Sequence, residues 1–230
     1  MEAIVLAGGF GTRLAKVVKD VPKPMAPVCG RPFLEYVLGA LSNEGVGHIV
    51  LAVGYKKECV IDWFGSSFSG IPIDYSIEEN PLCTGGAIKQ ALRLCNEERV
   101  IAINGDTFFP VRLQKMRCFA EEEHSPAVVA VKKMERFSRY GAVCFDSAQY
   151  VTSFQEKRFC EIGYINGGAY DIERSVLDCF PDVFSLENDC LPYLAEQRCL
   201  RAFCDDADFL DIGIPEDYEL AQRMFHGVRS

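Results

Sequence analysis

The chain has 230 residues, of which 49% are hydrophobic and 25% charged, and its formal net charge is −9. This composition is typical of a soluble globular protein with one domain, and the acidic excess argues against nucleic acid as a partner because it repels polyanions. No apolar run is long enough to span a bilayer, so we predict no membrane segment. The N-terminus lacks a signal-peptide pattern, and the 11 cysteines include no C-x-x-C pair, which predicts a cytoplasmic protein with reduced thiols.

A glycine-rich loop follows the first predicted strand. Residues 4–6 are apolar, as in a buried strand, and three glycines come soon after them. These are Gly8, Gly9 and Gly11. Without Cβ atoms, their backbone N–H groups can approach a phosphate closely, and Arg13 adds donors whose geometry suits phosphate oxygens. Lys23 stands between Pro22 and Pro24, which restrict the backbone and reduce the entropy lost when the ammonium is aimed at an anion. The segment therefore predicts a phosphate-binding site.

Two common phosphate loops do not fit this segment. A dinucleotide fingerprint starting at Gly9 would need a glycine where Leu14 stands, and the Gly-Lys-Ser/Thr of a P-loop is missing. The pattern L-x-G-G-x-G-x-R-L followed by P-K instead resembles the sugar-nucleotidylyltransferase family, whose members join a nucleoside triphosphate to a sugar 1-phosphate. The resemblance covers essentially the whole chain and implies a Rossmann-like, glycosyltransferase-A-like fold.

Strands and helices alternate through the first part of the chain, which predicts an α/β three-layer sandwich with a mostly parallel central sheet. The predicted strands are 48–53, 73–77, 100–107 and 127–131, and the predicted helices are 32–41, 56–64, 85–94 and 113–123. Shorter strands at 139–145, 150–154 and 163–170 predict a small antiparallel lobe. We expect one domain, 1–230, in which 1–132 bind nucleotide and 133–230 bind sugar phosphate.

Residues 78–88 contain a strand end, a turn and a glycine pair. The segment resembles the E-x-x-P-L-G-T-x-G motif of the family, which implies that Thr84 and Gly85 contribute to the nucleobase pocket. Cys83 stands where the family has glycine, so its side chain is expected to narrow the pocket or alter the backbone. A carboxylate at Glu79 could accept hydrogen bonds from guanine N1–H and the exocyclic amine; a solvated surface glutamate is the alternative.

Two aspartates are the candidate metal ligands. Asp106 comes at the carboxyl end of a buried strand, where open α/β sheets place their ligands. Asp211 belongs to a segment that resembles the family's D-I-G-T-P-E-D, with Ile214 in place of threonine. The resemblance implies that both aspartates bind a divalent metal. Mg²⁺ suits them because it prefers oxygen ligands and retains water.

Three short motifs in the second part of the chain resemble the acceptor-binding motifs of the family. They are Tyr140-Gly141, Glu156-Lys157 and Asn166-Gly167. The resemblance implies that Glu156 binds sugar hydroxyls, that Lys157 meets the sugar phosphate, and that the other residues, with Gly105, line the sugar-phosphate pocket. A carboxylate accepts from vicinal hydroxyls and an ammonium attracts an anion, which agrees with this division.

These observations also assign nucleotide-binding and catalytic residues. The expected nucleotide-binding residues are Leu6, Ala7, Gly8, Gly9, Gly11, Thr12, Arg13, Lys23, Glu79, Thr84, Gly85 and Asp106. The expected catalytic residues are Arg13, Lys23, Asp106, Lys157 and Asp211. The run V-V-K-D-V-P-K-P-M-A-P-V resembles the branch of guanylyltransferases that act on a heptose 1-phosphate. It implies GTP and D-glycero-α-D-manno-heptose 1-phosphate as substrates and GDP-heptose, for surface polysaccharide, as the product.

Several alternatives stay open from sequence alone. Within the class, they are a mannose-1-phosphate guanylyltransferase and a uridylyl or thymidylyl transferase. In a different class, the chain could be a catalytically silent protein that senses nucleotide sugars, although retention of the five candidate catalytic residues argues against it. The oligomeric state is also open, with a homodimer as one option.

Overall fold

The computed structural model describes residues 1–9 and 21–227. Fourteen strands are assigned in these ranges. They are β1 (Glu2–Leu6), β2 (Pro27–Val28), β3 (Arg31–Pro32), β4 (His48–Val53), β5 (Ser67–Phe68), β6 (Ile71–Ile77), β7 (Arg99–Asn104), β8 (Thr107–Phe108), β9 (Ala127–Phe137), β10 (Val143–Phe145), β11 (Val151–Phe154), β12 (Cys160–Glu173), β13 (Leu200–Asp205) and β14 (Leu210–Asp211). The α-helices are α1 (Phe33–Asn43), α2 (Lys57–Phe64), α3 (Cys83–Ala91), α4 (Leu113–Glu122), α5 (Leu191–Glu196) and α6 (Pro215–Met224).

The central sheet has eight strands in the order β13-β9-β12-β7-β1-β4-β6-β5. β7, β1, β4 and β6 are parallel to their neighbours in this group, and β13 is parallel to β9. Only β12 and the short β5 run antiparallel within this sheet. The prediction of an α/β fold with a mostly parallel central sheet is therefore confirmed.

Alternating side chains bury both faces of the sheet. Val5 and Ile101 face a core that also contains Phe33 of α1 and Met116 of α4. The intervening residues, such as Ile4 and Ala102, face a second core built on α3 and α5. Because a strand alternates its side chains between faces, an apolar strand core of this kind requires helices on both sides. The result is the three-layer arrangement.

One strand lies elsewhere than the sequence indicated. Residues 163–170 were expected in a separate antiparallel lobe, but they belong to β12, which runs between β7 and β9 in the central sheet. Of the strands predicted for this lobe, only β10 and β11 form a small antiparallel pair apart from the central sheet. Alternating apolar residues reveal a strand but not its partner, because pairing depends on contacts distant in sequence.

Within the described ranges, none of the helices has the length and apolar character that crossing a membrane requires. All 11 cysteines lie in these ranges, and each is unpaired. The N-cap of α6 is Ile214, which makes no side-chain capping bond, and Pro215 opens the helix. The lost threonine hydroxyl is thus offset in part by a proline whose fixed φ suits the first helical turn.

Candidate functional site

The carboxyl ends of the parallel strands meet at one edge of the sheet, and the candidate site lies along it. Gly8 and Gly9 follow β1, Glu78 follows β6, and Asp106 follows β7 by two residues. Gly105 is needed where the chain leaves β7, because a Cβ there would lie 2.6 Å from the carbonyl oxygen of Leu6. The N–H of Gly105 donates to that same oxygen at 2.9 Å. Close packing between β1 and β7 therefore fixes the position from which Asp106 projects.

Asp106 and Asp211 are brought together by a two-stranded antiparallel ribbon. β8 pairs with β14, so that Thr107 lies opposite Asp211 and Phe108 opposite Leu210. The N–H of Ile212 also donates to the carbonyl oxygen of Asp106 at 3.3 Å. This ribbon joins the middle of the chain to its last strand and places the two aspartates at neighbouring positions.

Lys23 bridges the two aspartates. Its Nζ donates to Asp106 Oδ2 at 2.7 Å and to Asp211 Oδ1 at 2.9 Å. The lysine side chain is only 11% exposed. Burial lowers the pKa of Lys23, but the charges of Asp106 and Asp211 and their hydrogen bonds outweigh burial, so the pKa lies above its ordinary value. Three of the predicted catalytic residues thus form one charged cluster, which we call the Lys23–Asp106–Asp211 cluster.

The backbone around Lys23 is held in a 3₁₀ turn, residues Lys23–Met25. The N–H of Met25 donates to the carbonyl of Pro22 at 2.8 Å, and that of Ala26 donates to the carbonyl of Lys23 at 3.0 Å. Pro24 and Met25 are buried. The turn therefore fixes the main chain, and the ammonium can change position only through the side-chain torsions of Lys23.

A cleft of about 390 Å³ opens beside the loop that follows β1. Its walls come from the carboxyl ends of β1, β4 and β6 and from the start of α3. The lining residues are Leu6, Gly8, Gly9, Gly54, Tyr55, Glu78, Glu79, Asn80, Pro81, Cys83, Thr84 and Ala87. Five of the predicted nucleotide-binding residues are among them, namely Leu6, Gly8, Gly9, Glu79 and Thr84.

Glu78 is a candidate that the sequence interpretation missed. A Cβ on Gly8 would lie 3.0 Å from Glu78 Oε1, and Glu78 Oε2 accepts from the N–H of Leu82 at 3.1 Å. Burial raises the pKa of Glu78, and the hydrogen bond from Leu82 offsets part of that rise. Glu79, the residue proposed from sequence, is exposed. The spacing E-x-x-P counted back from Pro81 falls on Glu78, and that spacing was the available signal.

Thr84 and Gly85 have packing partners on the segment before α5. The Thr84 hydroxyl donates to Glu187 Oε2 at 2.5 Å and accepts from the N–H of Leu186 at 2.9 Å. Gly85 does not line the cleft; a Cβ there would lie 2.2 Å from the ring of Phe184. These contacts hold the start of α3 in place.

Ala7, also predicted to bind nucleotide, is buried, and its N–H donates to the carbonyl of Ala52 at 2.8 Å.

Cys83 begins α3 with a positive φ of 59°. This left-handed conformation suits glycine and strains other residues, so the departure from the family pattern alters the side chain while the backbone keeps a glycine-like shape. The side chain is exposed and lines the cleft. Cys83 therefore narrows the entrance of the cleft.

The predicted acceptor residues fall into two groups. The first group is closely packed. A Cβ on Gly141 would clash with the carbonyl oxygen of Gln155, and a Cβ on Gly167 would clash with the ring of Phe109. The Asn166 side chain donates to the Tyr170 hydroxyl and accepts from the N–H of Gly168. The Tyr140 ring packs edge-on against Phe209, with ring centroids 5.6 Å apart.

Glu156 and Lys157 form the second group, because they are exposed in the loop between β11 and β12. Neither side chain makes a hydrogen bond or ion pair with a residue in the described part of the chain. The structure thus brings Lys23, Asp106 and Asp211 together and leaves Lys157 at the surface. Gly11, Thr12 and Arg13 lie outside the described residues.

Metal binding at this edge of the sheet would depend on the carboxylates of Asp106 and Asp211. Among residues 1–9 and 21–227, no group of three or more His, Cys, Asp and Glu side chains could hold a metal. The Lys23–Asp106–Asp211 cluster offers one oxygen from each of two aspartates to a single cation. Carboxylate oxygens are ligands that Mg²⁺ accepts, and substrate phosphates usually complete such sites. The residues therefore fit a metal that arrives with, or is completed by, a phosphorylated substrate.

An α/β sheet with glycines after its first strand and a carboxylate pair at its carboxyl edge is typical of enzymes that act on nucleotides. The sequence profile of the nucleotidyl transferase family matches residues 2–226. The chain belongs to this family, and the family predicted from its sequence motifs is confirmed.

Two relatives within the family are similar over nearly their whole length. The chain is 44% identical to D-glycero-alpha-D-manno-heptose 1-phosphate guanylyltransferase of Aneurinibacillus thermoaerophilus, over 97% of each protein. It is 43% identical to the protein of the same description from Campylobacter jejuni, over 95% of this chain and 97% of that protein. Among solved structures, HddC from Yersinia pseudotuberculosis complexed with GMP-PN is similar, with a TM-score of 0.88 and 36% identity over 97% of this chain and 99% of HddC.

Proposed function

We propose that the protein transfers a guanylyl group from GTP to D-glycero-α-D-manno-heptose 1-phosphate, giving GDP-heptose and pyrophosphate. The observation that carries this proposal is the Lys23–Asp106–Asp211 cluster beside a cleft of nucleotide size. Similarity to the heptose 1-phosphate guanylyltransferases supports the choice of base and sugar. The reaction takes place in the cytoplasm, and its product supplies surface polysaccharide.

The reaction is an in-line displacement at phosphorus. A sugar-phosphate oxygen attacks the α-phosphorus of GTP, and the bond from the α-phosphorus to the oxygen bridging it to the β-phosphorus breaks. Pyrophosphate leaves with the electron pair. The attacking phosphate is already ionised at neutral pH, so no general base is required. Catalysis therefore depends on holding two mutually repelling anions together and on neutralising the charge that builds up on the leaving pyrophosphate.

The cations of the chain perform this neutralisation. Lys23, framed by its 3₁₀ turn, and Arg13 bind triphosphate oxygens, while Lys157 binds the phosphate of the sugar. Asp106 and Asp211 would hold Mg²⁺, which when bound supplies further positive charge to the phosphate oxygens. The net charge of the protein is −9, which repels the anionic substrates, so these local cations have to outweigh that repulsion.

We assign the two substrates to different parts of the chain. Residues 1–132 contribute the cleft and bind GTP, with Glu78 or Glu79 accepting from the guanine edge. Residues 133–230 bind the sugar phosphate, with Glu156 accepting from sugar hydroxyls in the loop next to Lys157. Tyr140, Gly141, Asn166 and Gly167 shape the acceptor pocket through the packing described above.

Pyrophosphate release tests this function. The four common nucleoside triphosphates are each combined with heptose, mannose and glucose 1-phosphates in the presence of Mg²⁺. We expect the highest kcat/KM with GTP and the heptose phosphate. Preference for mannose 1-phosphate, or for UTP or dTTP, would contradict the assignment of sugar or base. Binding of GTP without turnover of any pair would instead indicate a silent sensor.

A further inference from the structure

We propose that Lys23 keeps the carboxylate pair closed to free divalent metal, so that the metal enters the site as its complex with the nucleoside triphosphate. This inference rests on the proposed function, in which the same two aspartates hold the catalytic metal. On this proposal, the metal–nucleotide complex is the substrate, and the protein does not hold a metal before nucleotide binds.

The first argument is occupancy. The Lys23 ammonium bonds one oxygen of Asp106 at 2.7 Å and one oxygen of Asp211 at 2.9 Å. A cation that binds both aspartates has to use oxygens in this same small volume. Because the lysine side chain is only 11% exposed, water does little to screen its charge there. A divalent cation approaching the pair therefore meets both an occupied position and a positive charge.

The second argument is the shortage of other ligands. Among the described residues, no third His, Cys, Asp or Glu side chain joins the pair in a group able to hold a metal. Mg²⁺ and Mn²⁺ prefer six oxygen ligands, and two monodentate carboxylates compensated by an ammonium are a poor site for either. A metal that displaced Lys23 would have only these two protein oxygens as ligands. The displaced ammonium would lose both of its carboxylate partners.

A triphosphate removes both obstacles. Its oxygens supply the ligands that the metal lacks, and its negative charge offers Lys23 a new partner. The 3₁₀ turn fixes the backbone, with Pro22 and Pro24 on either side of Lys23, so the exchange needs only rotation of the lysine side chain. The ammonium can then move from carboxylate to phosphate, which would leave the oxygens of Asp106 and Asp211 available to hold the metal.

The test measures Mn²⁺ binding to the protein without nucleotide, by the loss of the electron paramagnetic resonance signal of free Mn²⁺. We expect weak binding by the wild type and at least tenfold tighter binding by Lys23→Met, which removes the cation. Lys23→Arg keeps a positive charge and should bind as weakly as the wild type. Lys115→Met is the matched control, because Lys115 is exposed on α4 and its loss changes net charge equally.

Two further variants keep the test decisive. Lys23→Gln retains a neutral donor for the aspartates if the methionine variant folds poorly, and it should also gain Mn²⁺ affinity. Adding Asp106→Asn to either variant should abolish the gain. Equal Mn²⁺ affinity in the wild type and in both neutral variants would overturn the proposal, as would a gain that survives loss of Asp106. No turnover is measured, so this result is independent of whether GTP is the substrate.

Discussion

The carboxylate of Glu78 lies against Gly8, so close that a Cβ on Gly8 would be 3.0 Å from Glu78 Oε1. The glycine-rich loop after β1 and the acidic turn after β6 therefore share one wall of the cleft. A side chain at position 8 would displace the carboxylate, and the identity of residue 78 in turn affects what the loop can bind. Glu78 and Gly8 therefore belong to a single surface of the cleft.

The first prediction concerns the guanine acceptor. If Glu78 accepts from guanine N1–H and the amine, Glu78→Gln replaces one acceptor oxygen with a donor and leaves a buried group unpaired. That loss costs about 1–3 kcal/mol, so kcat/KM for GTP should fall roughly ten- to hundredfold. ITP lacks the amine and should lose less. Glu79→Gln is the matched control, and a larger loss there would return the role to Glu79.

Glu78→Gln should also change how the stability of the protein depends on pH. The pKa of Glu78 is raised above its ordinary value of 4.5 by burial, so the folded state binds a proton more readily than the unfolded state. The stability from that proton is present below the unfolded pKa and disappears as the pH rises through the folded pKa. Glu78→Gln should therefore stabilise the free protein at pH 7 relative to the wild type, with a smaller difference at pH 4, as measured by thermal unfolding.

The second prediction is that both aspartates of the cluster are essential. Asp106→Asn and Asp211→Asn keep the side-chain shape but remove a charge, so each should lower kcat by roughly 100- to 1000-fold through lost charge stabilisation. Asp62→Asn, at an exposed position of α2, should leave the rate unchanged. Near-normal turnover in excess EDTA would be incompatible with a metal between Asp106 and Asp211.

The third prediction separates the two substrates. Lys157→Ala removes an exposed ammonium from the loop after β11 and should raise the KM for the sugar phosphate by about ten- to hundredfold, the value of a charge-assisted hydrogen bond. Binding of GTP, followed by titration calorimetry, should change little. Arg158→Ala removes a neighbouring cation that bonds Gln155 Oε1, and an equal loss there would mean that loop charge, and not Lys157, is recognised.

The fourth prediction concerns a buried charge at the opposite edge of the sheet. Asp171 is fully buried and accepts from Arg99 Nη1 at 2.8 Å and from Arg117 Nε at 2.6 Å. Asp171→Asn removes the buried anion that Arg99 and Arg117 share and leaves them only the partly exposed carboxylates of Glu173 and Glu97, so it should lower the free energy of unfolding by about 3–5 kcal/mol. Glu173 bonds the same Arg99 but is 43% exposed, so Glu173→Gln should cost about 0–1 kcal/mol. Urea unfolding would distinguish the two.

The fifth prediction uses two helical glycines. Nothing lies within 4 Å of a Cβ built on Gly39 of α1, so Gly39→Ala should stabilise the protein by about 0.5–1 kcal/mol through the better helix propensity of alanine. A Cβ on Gly85 would lie 2.2 Å from the Phe184 ring, so Gly85→Ala should destabilise it by about 1–3 kcal/mol. Similar effects of the two changes in thermal unfolding would contradict the packing described for α3.

Local sequence patterns predicted most of the elements because the signals are local. Helix α4 begins at Leu113, where the predicted helix 113–123 begins, and β4 has the bounds predicted for it, 48–53. Strand partners were less accessible. β12 continues to Glu173 inside the central sheet, and no local feature of residues 163–170 distinguishes that position from an outlying lobe.

The residues of the site could likewise be proposed one by one from sequence, but the contacts between them could not. Resemblance to the family identified Lys23, Asp106 and Asp211 individually, but the direct bonds from Lys23 to both aspartates join residues 83 and 188 positions apart. Such a contact depends on the pairing of β8 with β14 and could not be read from spacing. Glu78 was missed although the spacing E-x-x-P pointed to it, and the fold shows that Glu78, and not Glu79, is the glutamate next to Gly8.

The ribbon of β8 and β14 also has a consequence for the order of folding. Asp211 lies 188 positions from Lys23, and a contact between residues so distant in sequence has a larger loop-closure cost than the contacts within a helix. We therefore expect the ribbon to form late in folding, after the local helices and turns. A folding intermediate in which β14 has not yet paired with β8 would lack the second carboxylate of the cluster.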